Sequence, residues 1–147
     1  MALTPNSFSD ASASPSRATR KYKDVSLSFT RHPITGDIAG LTDADAVKRS
    51  VRNLINTDFY ERPFHPEIGS DVRKTLFEPV DIATAETLSI YIEECIVNFE
   101  PRVELSSVRV DANIDRNGYN VIIEFYLINS PAGLIEMEVN LERLRWC

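Results

Sequence analysis

Asn117-Gly118 lies between two runs in which every second residue is apolar, and no other feature constrains this chain as tightly. Asn-Gly suits the left-handed conformations of a tight hairpin turn, and alternation at period two marks strands that bury one face. A two-residue turn there pairs Val108 with Leu127, Val110 with Phe125, Ala112 with Ile123, and Ile114 with Val121, so every pair is apolar. The next turn signal is Asn129-Ser130-Pro131-Ala132-Gly133. Read as a five-residue loop, it pairs Leu127 with Ile135, Phe125 with Met137, Ile123 with Val139, and Val121 with Leu141. A slip of one residue would turn a whole apolar set to solvent. The C-terminal third is therefore expected to form a three-strand antiparallel meander. On its other face the same registers put Asp111, Glu124 and Glu138 in one cross-strand row and Arg109, Tyr126 and Glu136 in the next. Such a face is either a solvated acidic surface or a docking surface for a basic partner.

Upstream the period changes to that of helices. Thr42 and Asp45 form a capping pair ahead of Val47, Val51, Leu54 and Ile55, which predicts a helix of about three to four turns. Asp81 opens the strongest helix, with Ala85, Leu88, Ile92, Cys95, Ile96 and Phe99 on one side. Ile90, Tyr91 and Val97 widen that stripe, so the helix is expected to be sandwiched between other elements. Pro101 stops it, because the ring disfavours helical geometry at the residue before it. Between the helices, the run from Arg62 to Gly69 holds two prolines and a glycine and reads as non-helical. Ser70 is placed to cap a short helix carrying Val72, Leu76 and Phe77, closed by Pro79. Alternating Val25, Leu27 and Phe29 predict a first strand ending near His32-Pro33, followed by a loop punctuated by Gly36 and Gly40. The fold class is α+β, with two to three helices packed on a small antiparallel sheet.

A chain of 147 residues is one domain's worth. Its first 20 residues hold five Ser, four Ala and two Pro with no apolar run, too little to offset the entropy of ordering them. Residues 1–22 are thus expected to be a disordered leader, without the apolar core of a secretory signal, and residues 23–147 the folded domain. The longest apolar candidate, Val121-Ile122-Ile123, is cut by Glu124, so no membrane span is expected. Residues 1–23 carry four cations against Asp10, whereas the other 124 carry 12 basic and 21 acidic residues, a net of −9. That body repels phosphate backbones, and nucleic acid is not an expected partner.

Two cysteines and two histidines, none at ligand spacing, predict neither metal nor cofactor. No nucleophile elbow, Cys/His signature or phosphate-cradling glycine motif occurs, and no catalytic residues are assigned. Carboxylates are plentiful. No local pattern, however, sets a protonated acid beside an ionised one, as a two-carboxylate hydrolase requires. The informative segment is Asn98-Phe99-Glu100-Pro101-Arg102-Val103. Arg102 suits the negative end of a helix and Glu100 does not. The pair is either a local contact at a helix stop or a rigid, oppositely charged clasp presented to a partner.

Several pieces recur in a telling order: Arg62-Pro63-Phe64-His65-Pro66-Glu67-Ile68-Gly69-Ser70-Asp71, Leu76-Phe77-Glu78, the long helix into Phe99-Glu100-Pro101-Arg102, the Asn-Gly hairpin, and a last strand. In this order, over about residues 45 to 141, the chain resembles the baseplate-wedge family of contractile phage tails, sheath initiators that include the type VI secretion subunit TssE. The resemblance implies a structural, non-enzymatic protein, made in the host cytoplasm and placed in the virion tail baseplate. It implies that Glu100, Pro101 and Arg102 contact the core bundle of the other baseplate wedge proteins. It further implies that the sheet templates the first ring of the tail sheath protein by strand addition, with Glu136, Glu138, Asn140, Glu142, Asp111 and Glu124 as sheath-contact candidates. The alternatives are a lysozyme-like peptidoglycan hydrolase of the baseplate, or the equivalent type VI subunit.

Overall fold

The computed structural model describes residues 22–26, 29–38, 40–128 and 133–143. The leader expected over residues 1–22 lies outside them, apart from Tyr22. The described elements are β1 (Lys23–Val25), β2 (Gly40–Thr42), α1 (Asp43–Ile55), α2 (Val72–Thr75), α3 (Ile82–Phe99), β3 (Val103–Asn113), β4 (Gly118–Leu127) and β5 (Ile135–Glu142). They form a three-stranded antiparallel sheet in the order β3-β4-β5 and a separate two-stranded pair, β1-β2. The α+β expectation and its C-terminal meander hold.

Apolar spacing explains the helices, and their ends show which caps are used. Val47, Val51, Leu54 and Ile55 are all buried along α1, as expected from their spacing. The Thr42–Asp45 capping pair does not form. Thr42 makes no side-chain cap bond, and the Asp43 N–H donates instead to the carbonyl of Tyr22 at 2.7 Å. Ser70 does not cap α2 either; its hydroxyl donates to the Ile55 carbonyl at 2.9 Å. Asp81 does cap α3, accepting the Thr84 N–H at 2.7 Å, and this bond holds its carboxyl below the usual range. The expected sandwich around α3 is corrected: Ile90 and Val97 are 60% and 63% exposed, so one side of the helix is bare.

The first strand is shorter than its alternation predicts. It ends at Val25, Leu27 lies outside the described residues, and Phe29 turns away with φ 50° after its N–H bonds the Ser26 carbonyl. Its partner β2 falls where a loop was expected. Each strand is only three residues long and largely exposed, so little buried surface rewards further extension.

Both meander registers differ from the expected ones, by even numbers along their main run, so the apolar residues within the strands keep their face, whereas Ile114, expected opposite Val121, falls in the turn and is 75% exposed. Val110 pairs with Val121 and Val108 with Ile123, and the hairpin closes on Asn113 and Gly118. The turn is the four-residue segment 114–117 rather than a two-residue one. Asn117 supplies its left-handed position at φ 53°, its N–H bonds the Ile114 carbonyl, and Asn113 Oδ1 accepts the Arg116 N–H. Gly118 serves a different purpose. A Cβ there would lie 2.6 Å from the Leu141 carbonyl oxygen of β5. A bulge between Leu105 and Ser107 then shifts the ladder by one, which brings Val103 and Leu105 onto the same face as Val108 and Val110. On the other side Val121 pairs with Val139, Ile123 with Met137 and Phe125 with Ile135. Residues 129–132, most of the expected five-residue loop, lie outside the described residues. The core sits between this face, with Tyr119, Val121, Ile123 and Phe125 at its centre, and the inner sides of α1 and α3.

Candidate partner-contact site

The helix stop resolves into a built polar cluster. Pro101 ends α3 at Phe99, and Glu100 adopts φ −122° and ψ 78°, which turns its side chain back toward α1. Glu100 is 3% exposed. Its carboxylate accepts Arg102 Nε at 2.6 Å and Nη2 at 2.7 Å, and the Ser50 hydroxyl at 2.7 Å. Burial pushes this carboxyl's pKa up, but the Arg102 and Ser50 hydrogen bonds outweigh it and hold the net value below the ordinary one. The Arg102 guanidinium is pushed up in turn, chiefly by its bond to Glu100. It also lies over the Tyr22 ring at 5.5 Å from the centroid. Of the two readings of this pair, the local contact is present: Glu100 and Arg102 bond each other directly. Glu100 faces inward, Pro101 is exposed, and Arg102 is a third exposed. Ser50 and Tyr22 carried no local sequence signal, because they lie 50 and 80 positions from their partners.

The sheet's outer face differs in detail from the expected rows. Glu124 faces Glu136 and Ser107, Glu138 faces Ile122 in the row of Arg109, and Asp111 faces Asn120 in the row of Asn140. The expected row of Asp111, Glu124 and Glu138 does not exist. One of the like-charge contacts is relieved, since the Ser107 hydroxyl donates to Glu124 at 2.8 Å. Glu136, Glu138, Asn140 and Glu142 all remain on this face and are exposed.

Backbone parity along β5 decides what its outer edge presents. The Arg143 N–H donates to the Asn117 carbonyl at 3.1 Å, extending the ladder that pairs Glu142 with Gly118. In an antiparallel ladder bonded and non-bonded pairs alternate. Odd-numbered residues from Ile135 to Leu141 are thus bonded to β4, and the N–H and C=O groups of Glu136, Glu138, Asn140 and Glu142 point outward. One of these carbonyls, that of Glu138, accepts Arg52 Nη2 from α1 at 3.4 Å.

A third feature is the loop from residue 56 to 71, pinched at its neck. Asp58 bridges Ser70, and a Cβ on Gly69 would meet the backbone of Asp58 and Phe59 at 2.6 Å. Tyr60 and Phe64 stand 84% and 97% exposed, both at φ 69°. The sequence showed this run as non-helical but did not reveal that it displays two aromatic rings.

Among the described residues no group of three His, Cys, Asp or Glu side chains is placed to hold a metal ion. No helix among them is long and apolar enough to cross a membrane. The sequence model described as baseplate wedge protein gp25 matches residues 42–132. The baseplate wedge protein gp25 of Enterobacteria phage T4 is 31% identical over 105 residues, covering 71% of this chain and 80% of that protein. A proposed tail lysozyme from Geobacter sulfurreducens shares the fold at TM-score 0.65 and 20% identity, over 73% of this chain and 97% of its own. A chain of the anti-feeding prophage baseplate does so at TM-score 0.62 and 24% identity, over 73% and 86%. A chain of the post-contraction pyocin R2 baseplate gives 0.53 and 24%, over 67% and 97%.

Proposed function

This chain belongs to the baseplate wedge protein gp25 family, and we propose that it is a non-enzymatic structural subunit of a contractile phage tail baseplate. In this reading Pro101 and Arg102, braced from behind by Glu100, meet the other wedge proteins. The β5 edge takes an extended strand of the tail sheath protein and so starts the first sheath ring. A phage tail is preferred to a secretion apparatus because the T4 relative, at 31% identity, is a phage protein.

The observation that carries the reading is the β5 edge itself. Outward donors and acceptors along an exposed strand are a template for another strand. Strand addition draws affinity from main-chain bonds and register from alternate side chains. On β5 those alternate side chains are Glu136, Glu138, Asn140 and Glu142, which favour a basic arm and disfavour a second copy of the same strand. The hydrolase alternative needs a protonated acid near a second carboxylate. Glu100, the one buried carboxylate among the described residues, is held ionised by Arg102.

Proline scanning along β5 tests the strand addition. Glu136→Pro and Asn140→Pro remove outward N–H groups only, so the isolated domain stays folded while sheath polymerisation from the baseplate stops. Normal sheath growth from every folded proline variant would reject strand addition at this edge.

A further inference from the structure

Tyr22 lies before the residues that the family model matches, yet it touches three parts of the domain. Its carbonyl accepts the first N–H of α1, from Asp43, at 2.7 Å. Its hydroxyl donates to the Ile128 carbonyl just beyond β4, at 3.1 Å. Its ring lies under the Arg102 guanidinium, 5.5 Å from centroid to Cζ. The residue is thus fixed at both its backbone and its tip, and the ring between them has little freedom to leave.

An arginine guanidinium has one plane, two faces and three edges' worth of donors. Here Nε and Nη2 are spent on the Glu100 carboxylate in a bidentate pair, and one face is covered by the Tyr22 ring. Nη1 has no hydrogen-bond partner among the described residues, and the side chain is a third exposed. Long side chains lose rotamer entropy when a contact immobilises them, and a donor already held in place loses less on binding.

We infer that Tyr22 is a positioning residue for Arg102: ring and carboxylate together aim Nη1 outward as the donor offered to a hydrogen-bond acceptor of a neighbouring wedge protein. This rests on the proposed wedge contact and adds to it a residue from outside the matched region. It also assigns Glu100 to bracing rather than to direct contact.

The test uses the full chain and, as probe, wedge complexes of the same particle purified without this subunit. Tyr22→Leu keeps an apolar body and loses the aromatic face; Tyr22→Phe keeps the face and loses the hydroxyl. Removing a cation–π contact of this kind should weaken binding of Tyr22→Leu roughly five- to thirtyfold, whereas Tyr22→Phe should stay within about twofold of wild type. The Arg102 Nε–H resonance supplies a readout that a loss of general stability would not mimic. Its solvent exchange should accelerate in Tyr22→Leu and stay slow in Tyr22→Phe, with both domains folded. Wild-type binding and slow Nε–H exchange in Tyr22→Leu, alongside failed binding of Arg102→Ala, would overturn the positioning role and leave the contact standing. Undiminished binding of Arg102→Ala would instead sink the wedge contact itself.

Discussion

The two edges of the three-stranded sheet have the same backbone chemistry and opposite parity. On β5 the residues with outward backbone groups are Glu136, Glu138, Asn140 and Glu142, whose side chains lie on the exposed face. On β3 the opposite holds. The even-numbered residues of β4 bond to Ser107, Arg109, Asp111 and Asn113, so Val108, Val110 and Ala112 carry the outward backbone while their side chains pack on the core. The anchoring differs as well. The start of β3 is tied to α1 and to Tyr22 through the Glu100–Arg102 pair, whereas α1 reaches β5 through a long side-chain bond from Arg52. One edge is built into the domain, and the other pairs with no strand among the described residues.

The sharpest way to break this contrast is a proline at the wrong parity. Val139 is 6% exposed and bonded to β4 opposite Val121. Val139→Pro should cost roughly 3–5 kcal/mol through an unpaired buried carbonyl and lost packing, while Glu136→Pro should cost under about 1 kcal/mol. Equal unfolding midpoints in urea for the two variants would show that the parity is misassigned.

A smaller effect is expected at the anchored start of β3. Glu100→Gln removes the charge that holds Arg102, and should lose about 1–2 kcal/mol at pH 7 after allowing for the third of Arg102 that is in solvent. The folded Glu100 carboxyl lies below its ordinary value. Its stabilisation is therefore fully present above the unfolded pKa of about 4.3 and lost as pH falls through the folded one. The gap between wild type and variant should close below about pH 4. A gap that stays constant down to pH 3 would remove the ion pair from the account.

The smallest effect belongs to Arg52. Its bond to the Glu138 carbonyl is 3.4 Å and exposed, so Arg52→Ala should shift global stability by no more than about 0.5 kcal/mol. Amide exchange should quicken only locally, around Glu138 in the middle of β5. A cooperative loss of protection across the sheet would mean that β5 is anchored after all, contrary to the comparison.

What was legible in the sequence follows the same divide between local and distant causes. The faces of β4, β5 and β3 from Val108 onward followed from period two, because burial of one face penalises any odd slip. The bulge that carries Val103 and Leu105 onto that face, and the turn that exposes Ile114, did not. The registers themselves were displaced, since Asn117 supplies the left-handed position at the end of a four-residue turn and Gly118 is needed inside the strand where β5 comes close. Nothing local distinguishes those two uses of Asn-Gly. The Asp81 cap lay three residues from the N–H it accepts and was readable, whereas Ser50 and Tyr22 reach Glu100 and Arg102 only through the fold. The Glu100–Arg102 contact was legible as one of two options. Its inward direction depended on a serine 50 residues away.

The parity of β5 has a consequence for how such a subunit can change over time. If β5 takes a strand as proposed, substitutions at residues 136, 138, 140 and 142 would alter what that strand meets, yet they touch neither the ladder to β4 nor the apolar core. Substitutions at residues 135, 137, 139 and 141 do the reverse. One eight-residue strand thus carries two interleaved alphabets, and under the proposed strand addition a lineage would be free to rewrite its partner specificity letter by letter without paying for each edit in foldedness.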